Sequence, residues 1–420
     1  MAVVPQSLLR PAAIGAMLAR EWWHSGVTYN PLSPRMYLDP YPTYAVLRTK
    51  DPVHWSTLAD AWVFSRYEDV DAILRDHRRF SNDARNRQMP EGLRASTAFP
   101  RRSMFFLDPP DHTRLRALVN KAFTPSAIQA LTPDIQDIME TLLDRIDDPT
   151  SFDVMESIAQ PLSVLALARL LGVPAEDRAR LAGWSHRIAR TLEPATSAAD
   201  DQDAVQTAYA LDDYFRGIIE EHRTAPQPGL IGALIAGENS GDTPNPNEFF
   251  MMLRLLLVAG QETTIDLIGN GLLALLRHPQ QMHLLREEPG LMESAVEEFL
   301  RYDSPVQVDA RAALEDMEIH GRRIKKGQGV MPLIGSANRD ADVFSRPDQL
   351  DITRKQAGNI SFGRGIHYCL GAPLARLEAR IAFEALLRRF SELRLATAHP
   401  PFKNNLALRG LKALPVTARR

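Results

Sequence analysis

The stretch Phe362-Gly363-Arg364-Gly365-Ile366-His367-Tyr368-Cys369-Leu370-Gly371 decides how this chain is read. It holds the one cysteine in 420 residues. A lone thiol forms no intrachain disulfide and builds no multi-cysteine metal site, but it can be a single axial ligand. Cys369 closes a glycine-rich loop and stands just before a helix-like run, Pro373 to Phe390. A helix N-terminus presents unpaired N–H groups and partial positive charge, which favour thiolate over thiol. Pro373 suits a first helical turn, where its missing N–H costs nothing. The plain alternative is a buried, inert cysteine.

The loop suits a thiolate bound to haem iron, because thiolate pushes electron density onto the metal and favours O–O cleavage. Gly363, Gly365 and Gly371 remove side chains where a flat macrocycle would approach the backbone. The order Phe, Gly, any, Gly, any, His, any, Cys, any, Gly resembles the haem loop of the cytochromes P-450, the haem-thiolate monooxygenases. The resemblance implies a mainly α fold with small β-sheets (α+β), prism-like, with haem b between a long central helix and the Cys369 loop. It makes Cys369 the metal ligand and Phe362, Gly363, His367 and Gly371 residues of the haem cradle.

Composition is that of an ordinary globular chain, 45% hydrophobic and 24% charged. A net charge of -3 gives no reason to expect nucleic acid. Pro11 to Ala19 is apolar but bracketed by Arg10 and Arg20, and falls far short of the ~20 residues a membrane span needs. No signal-peptide cleavage pattern follows. The resemblance is therefore to the soluble bacterial members, with a cytoplasmic location. No break is clean enough for a domain boundary, so residues 1–420 read as one domain with an irregular segment over 1–35.

Tyr41 to Thr49 and Tyr67 to Asp76 read as helices, and Val53-His54-Trp55 and Trp62-Val63-Phe64 as paired strands. Residues 81 to 104 read as a loop carrying Arg85, Arg87, Arg94, Arg101 and Arg102. Asp108-Pro109-Pro110-Asp111-His112 opens a helix with His112 and Arg116 on one face. Pro125 to Gly172 is helical, with breaks near Pro149 and Pro161. Ala175 to Arg223 is helical, interrupted near Glu193-Pro194, and Gly229 to Asn247 reads as a loop. Met317 to Ile324 and Val330 to Ile334 read as strands.

Phe249 to Leu276 is apolar on nearly every face, the pattern of a buried helix. Its middle, Ala259-Gly260-Gln261-Glu262-Thr263-Thr264, lacks large apolar side chains and holds a carboxylate, an expensive content for a core helix. Small Ala259 and Gly260 leave room, and Thr263 offers a hydroxyl beside it. The plain alternative is a kinked core helix with a satisfied Glu. The segment resembles the family's Ala/Gly-Gly-x-Asp/Glu-Thr signature. That makes Glu262 the proton-relay acid and Thr263 the alcohol that steadies oxygen, with Ala259 and Gly260 against the haem. Having both residues speaks against the peroxide-driven branch of the family.

Glu298 and Arg301 lie three apart, by pattern an ordinary surface ion pair. The resemblance instead makes them a buried staple with Arg354, although Leu350 stands where an aromatic is common. It also assigns His112, Arg116, Arg311 and His367 to the haem propionates. By family position the substrate pocket includes Leu255, Leu256, Ala259, Val306, Gln307, Ala407 and Leu408. Their apolar character favours a small lipophilic substrate: a fatty acid, terpenoid, steroid or polyketide. An arginine between 85 and 102 could anchor a substrate carboxylate, but a solvated charged loop is the favoured reading of these residues.

No flavin or nicotinamide domain follows in the sequence. The resemblance implies electrons from a separate ferredoxin and ferredoxin reductase, with NAD(P)H as ultimate donor and O2 as co-substrate. The protein is expected to be a monomer, with Arg364, Arg376 and Lys121 on a basic docking face. The reading is a monooxygenase that hydroxylates or epoxidises. Its rivals are a non-catalytic haem-thiolate ligand-binding or sensor protein, and a helical binding protein without haem.

Overall fold

The computed structural model describes residues 11–88, 103–192, 197–236, 245–355 and 358–419. Helices dominate, and one of them positions the rest. The long helix Pro246–Arg277 starts at a capping box: the Asn245 side chain accepts from the Glu248 N–H, and Glu248 accepts from the Asn245 N–H, both at 3.0 Å. Pro246 occupies the first turn, and the helix stops at His278-Pro279, since proline disfavours helix in the residue before it. Helices Gln160–Leu171, Arg178–Ala189, Ala198–Thr224, Met292–Tyr302 and Ala372–Arg389 all pack against it. The largest apolar cluster lies at these contacts.

The packing is tight where glycines face neighbours. A Cβ on Gly269 would stand 2.6 Å from Met155 Sδ, and one on Gly271 would stand 2.6 Å from Phe383 Cζ. These glycines let the long helix approach its partners closely, at some cost in helix propensity.

The main sheet has five strands in the spatial order Val53–Ser56, Ala61–Phe64, Gly329–Pro332, Arg311–Ala313, Phe80–Ser81. Ala61–Phe64 runs parallel to Gly329–Pro332, with Trp62 beside Val330; the other pairs are antiparallel. A three-stranded sheet joins Phe152–Asp153, Pro415–Arg419 and Glu392–Leu395. The mainly α architecture with small sheets matches the expectation.

Four local expectations need correction. Residues 11 to 25 of the supposedly irregular start form a helix, Pro11–Ser25. Its buried Glu21 carboxylate accepts from the backbone N–H of Thr57 at 2.6 Å and of Tyr29 at 3.2 Å, a long-range anchor with no local signature. Leu230–Ala236 is helical despite Gly229 and Gly232, because Leu230, Ile231 and Leu234 bury one face. Pro161 breaks nothing: a π-helical turn, Met155–Ala159, runs directly into Gln160–Leu171, where Pro161 sits in the first turn. Met317 to Ile324 is two strands, Met317–Ile319 and Arg322–Ile324, turned by His320 and Gly321 at φ 47° and 74°. The expected interruption at Glu193-Pro194 lies outside the described residues, as do Arg94, Arg101 and Arg102.

Gly271→Ala should destabilise the protein by about 1–3 kcal/mol through overpacking against Phe383 and Phe299. Urea unfolding should show a lower midpoint with an unchanged slope.

Candidate haem-thiolate site

The Cys369 loop is built by its backbone. The Cys369 N–H donates to the Phe362 carbonyl at 2.8 Å, closing the loop on itself. Gly363 and Gly365 adopt φ of 71° and 66°, which L side chains rarely take. A Cβ on Gly365 would also stand 2.7 Å from the Leu74 carbonyl. Gly365 thus serves a left-handed turn packed against the end of helix Tyr67–Arg75, and not clearance for a macrocycle. Gly371 differs: a Cβ there would meet only open space among the described residues.

Gly371 leads into helix Ala372–Arg389, and the Gly371 and Ala372 N–H groups point at the Cys369 sulfur. Burial pushes the thiol up; those N–H groups and the Arg116 and Arg376 charges pull it down without cancelling that effect. A metal bound at sulfur would remove the proton outright.

Basic groups gather beside the loop. Arg116, on helix Asp111–Asn120, donates to the Tyr368 carbonyl. His112, one turn earlier, lies with its ring 4.3 Å from that of His367. Both His112 nitrogens and His367 Nε2 are buried with no hydrogen-bond partner among the described residues. Burial and then the Arg116 charge lower the His112 imidazole to about 4. Burial and then Arg311 lower His367 to about 2. Arg311 itself is buried, with Asp309 at 2.7 Å. Buried polar atoms without partners are rare, and here they sit among cations, so the donor set suits an anionic group.

The long helix contributes the other wall. It is buried along most of its length, yet Ala259 is exposed and Gly260 and Thr263 are partly so. The Thr263 hydroxyl donates back to the Ala259 carbonyl at 3.0 Å. Glu262 points elsewhere. Its Oε2 meets Lys403 Nζ at 2.7 Å and its Oε1 meets His186 Nδ1 at 3.4 Å. Burial pushes Glu262 up, but His186 and Lys403 outweigh it and hold the carboxyl at about 2.

A family profile described as cytochrome P450 matches residues 196–413. The chain is 43% identical over 392 residues to the vitamin D(3) 25-hydroxylase of Pseudonocardia autotrophica, covering 92% of this chain and 95% of that one. The chain belongs to the cytochrome P450 family. The polyketide biosynthesis cytochrome P450 PksS of Bacillus subtilis (strain 168) is 38% identical over 403 residues, 93% of this chain and 98% of its own. The PksS structure superposes with a TM-score of 0.86 over 94% of this chain and 100% of that one, at 38% identity. A myxobacterial P450, CYP267B1, solved with myristic acid, gives 0.84 at 38% identity over 93% and 98%. Membership brings a haem cofactor, use of O2, monooxygenase activity and electrons from redox partners. Among the described residues of this P450 no helix is long and apolar enough to cross a membrane.

The remaining predicted residues sort by their surroundings. Glu298 pairs with Arg301 at 2.7 Å and Arg354 at 3.0 Å, with the Glu298 and Arg301 side chains nearly inaccessible. Arg301 also donates to the carbonyls of Asn338, Pro347 and Gln349. Leu255 and Leu256 are buried in the main cluster. Val306 bridges Leu408, and the Gln307 N–H donates to the Ala407 carbonyl. The Gln307 side chain corrects the pocket expectation. It turns into the protein body, donating to the Ser304 carbonyl at 2.7 Å and the Tyr41 hydroxyl at 3.3 Å. A carboxylate anchor at Arg85 or Arg87 is also corrected. Arg85 is paired with Asp83, and Arg87 is bonded to the Ala59 and Asp60 carbonyls. In the expected docking face, Arg364 is paired with Asp71 and Arg376 with Glu297. The Lys121 side chain lies outside the described residues.

Sequence reasoning missed His186 and Lys403, the partners of Glu262. Lys403 is 141 residues away, and no local signal marks it.

Arg301→Ala should cost about 3–5 kcal/mol, because it removes two of the four hydrogen bonds to a buried carboxylate and its nearest counter-charge. The melting temperature should fall well below that of the Arg354→Ala variant, in which Arg301 still holds Glu298 by two bonds.

Proposed function

We propose that this P450 binds haem b through Cys369 and hydroxylates or epoxidises a lipophilic molecule. The observation that carries this reading is the gathering of His112, His367, Arg116 and Arg311 beside the Cys369 loop, with buried imidazole nitrogens that lack partners. Two haem propionates would supply the missing acceptors and counter-charges as charge-assisted hydrogen bonds. Ionised propionates would also raise both imidazoles from their depressed values.

Bound haem supplies reductive activation of dioxygen, with one oxygen atom going to the substrate and the other leaving as water. The chain's own part is to hold the group and to move protons. The Gly371 and Ala372 N–H groups steady charge on the Cys369 sulfur. The Thr263 hydroxyl needs only to turn from the Ala259 carbonyl to donate into the notch at Ala259 and Gly260. Glu262 receives protons from the side of His186, whose side chain is exposed, and passes them toward Thr263.

Leu255, Leu256, Ala259, Val306, Ala407 and Leu408 form an apolar wall, which selects by shape and burial and not by charge. Relatives with vitamin D(3) and myristic acid in their descriptions support a long-chain or polycyclic substrate. We place the protein in the cytoplasm as a monomer, served by a ferredoxin and its reductase that draw on NAD(P)H.

The test is the spectrum of the reduced protein with carbon monoxide. Wild type should show the red-shifted band of thiolate ligation, and Cys369→Ser should lose it. A thiolate-type band surviving in Cys369→Ser would reject the assignment. Glu262→Gln should keep the band but lower product formation by roughly 100-fold. A screen by haem spin-state shift should favour lipophiles over equally sized polar molecules.

A further inference from the structure

Lys403 and Asp266 have no role in the reading so far, yet both bear on Glu262. Glu262 and Asp266 are four apart on the long helix, so they share a face one turn apart. The Lys403 ammonium stands 2.7 Å from Glu262 Oε2 and 2.7 Å from Asp266 Oδ1. It arrives on the C-terminal segment, where Phe402 bridges Leu411 and the Lys403 N–H donates to the Gly410 carbonyl at 2.9 Å. That pairing sets Lys403 beside Gly410 against the helix. A Cβ on Gly410 would lie 1.7 Å from Asp266 Oδ1, so the glycine makes the space the carboxylate fills. Asp266 is 0% exposed, and its Oδ2 has no partner among the described residues. A half-satisfied buried aspartate is an expensive way to fill a helix face.

We propose that Asp266, acting through the shared Lys403 ammonium, governs how firmly Glu262 is held, which makes both positioning residues for proton delivery. The inference rests on Glu262 being the proton carrier. With Asp266 neutral, one ammonium faces one carboxylate and Glu262 stays clamped. With Asp266 ionised, two carboxylates share the ammonium and repel each other. Glu262 is then loosened and takes up a proton more readily. Protonated Asp266 is therefore a brake, released as pH rises.

The surroundings agree. Burial raises Asp266 to about 6, with the Glu262 charge adding to the rise and Lys403 opposing it. Asp266 is thus the member of the pair that changes charge near neutrality. The other charged groups facing the cluster are His186 on the far side of Glu262, Arg190 beside His186, and Asp303 beside Asp266. Asp303 is itself tied to Arg409 at 2.6 Å. The His186 side chain is 65% exposed and connects the cluster to water.

The experiment uses the haem-loaded full chain with a ferredoxin system and a substrate that shifts the haem spin state. Product formed per NAD(P)H consumed is followed from pH 5.5 to 8.5. A second readout, independent of turnover, is the infrared band of a protonated buried carboxyl. Wild-type coupling should rise with pH as that band disappears. Asp266→Asn should lack the band and stay at the low-pH coupling, roughly tenfold below wild type at the alkaline end. Lys403→Met removes the clamp and should be flat at the high level. Asp266→Asn tracking the wild-type profile, while Glu262→Gln is impaired, overturns this inference alone. Glu262→Gln retaining full coupling overturns the underlying reading of Glu262.

Discussion

A charged side chain taken out of water must meet an opposite charge or a set of hydrogen bonds, or else give up its charge. Around Glu298 the first solution is complete. The carboxylate meets Arg301 and Arg354, accepts the Asp351 N–H at 2.9 Å, and leaves Arg301 three backbone carbonyls to spend its remaining donors on. Those carbonyls belong to the stretch from Asn338 to Gln349. The cluster therefore folds that stretch against helix Met292–Tyr302. Tyr41, Asp303, Arg409 and Arg339 do the same elsewhere. Tyr41 donates to Asp303 at 2.6 Å, and the two guanidinium groups lie over its ring.

The same constraint marks the site by being left open there. His112 is buried and His367 half-buried beside cations, and both are driven toward the neutral form, first by burial and then by the Arg116 charge at His112 and the Arg311 charge at His367. Arg311 has Asp309, whereas among the described residues Arg116 donates to the Tyr368 carbonyl and meets no carboxylate. Glu298 and Asp303 have their counter-charges, whereas both His112 nitrogens and His367 Nε2 have no hydrogen-bond partner among the described residues. A fold that satisfies Glu298 with four donors does not leave three buried imidazole nitrogens without partners among the described residues for want of means.

The local motifs could be read because each carries its own backbone requirement. The Cys369 loop needs left-handed glycines at 363 and 365, and the long helix has a capping box at Asn245 and a proline stop. Elements held by distant partners could not. Helix Pro11–Ser25 depends on what Glu21 meets at Tyr29, His54 and Thr57. The Gln307 side chain was assigned to the pocket by position, but Tyr41 and the Ser304 carbonyl draw it inward. Arg364 and Arg376 look like free cations in sequence and are neutralised by Asp71 and Glu297 from other elements. Glu262 was legible as a misplaced carboxylate, whereas the identity of its counter-charges was not.

The C-terminal segment 402–411 draws these threads together. Leu408 bridges Val306, and Arg409 is paired with Asp303. Asn270 of the long helix donates to the Asp303 and Arg409 carbonyls. Gly410 admits Asp266, and Lys403 holds Glu262. One short stretch thus touches Val306, the buried charge network and the carboxylate on the long helix. The Lys403 and Gly410 backbones are hydrogen-bonded across that stretch, which sets the ammonium beside the long helix.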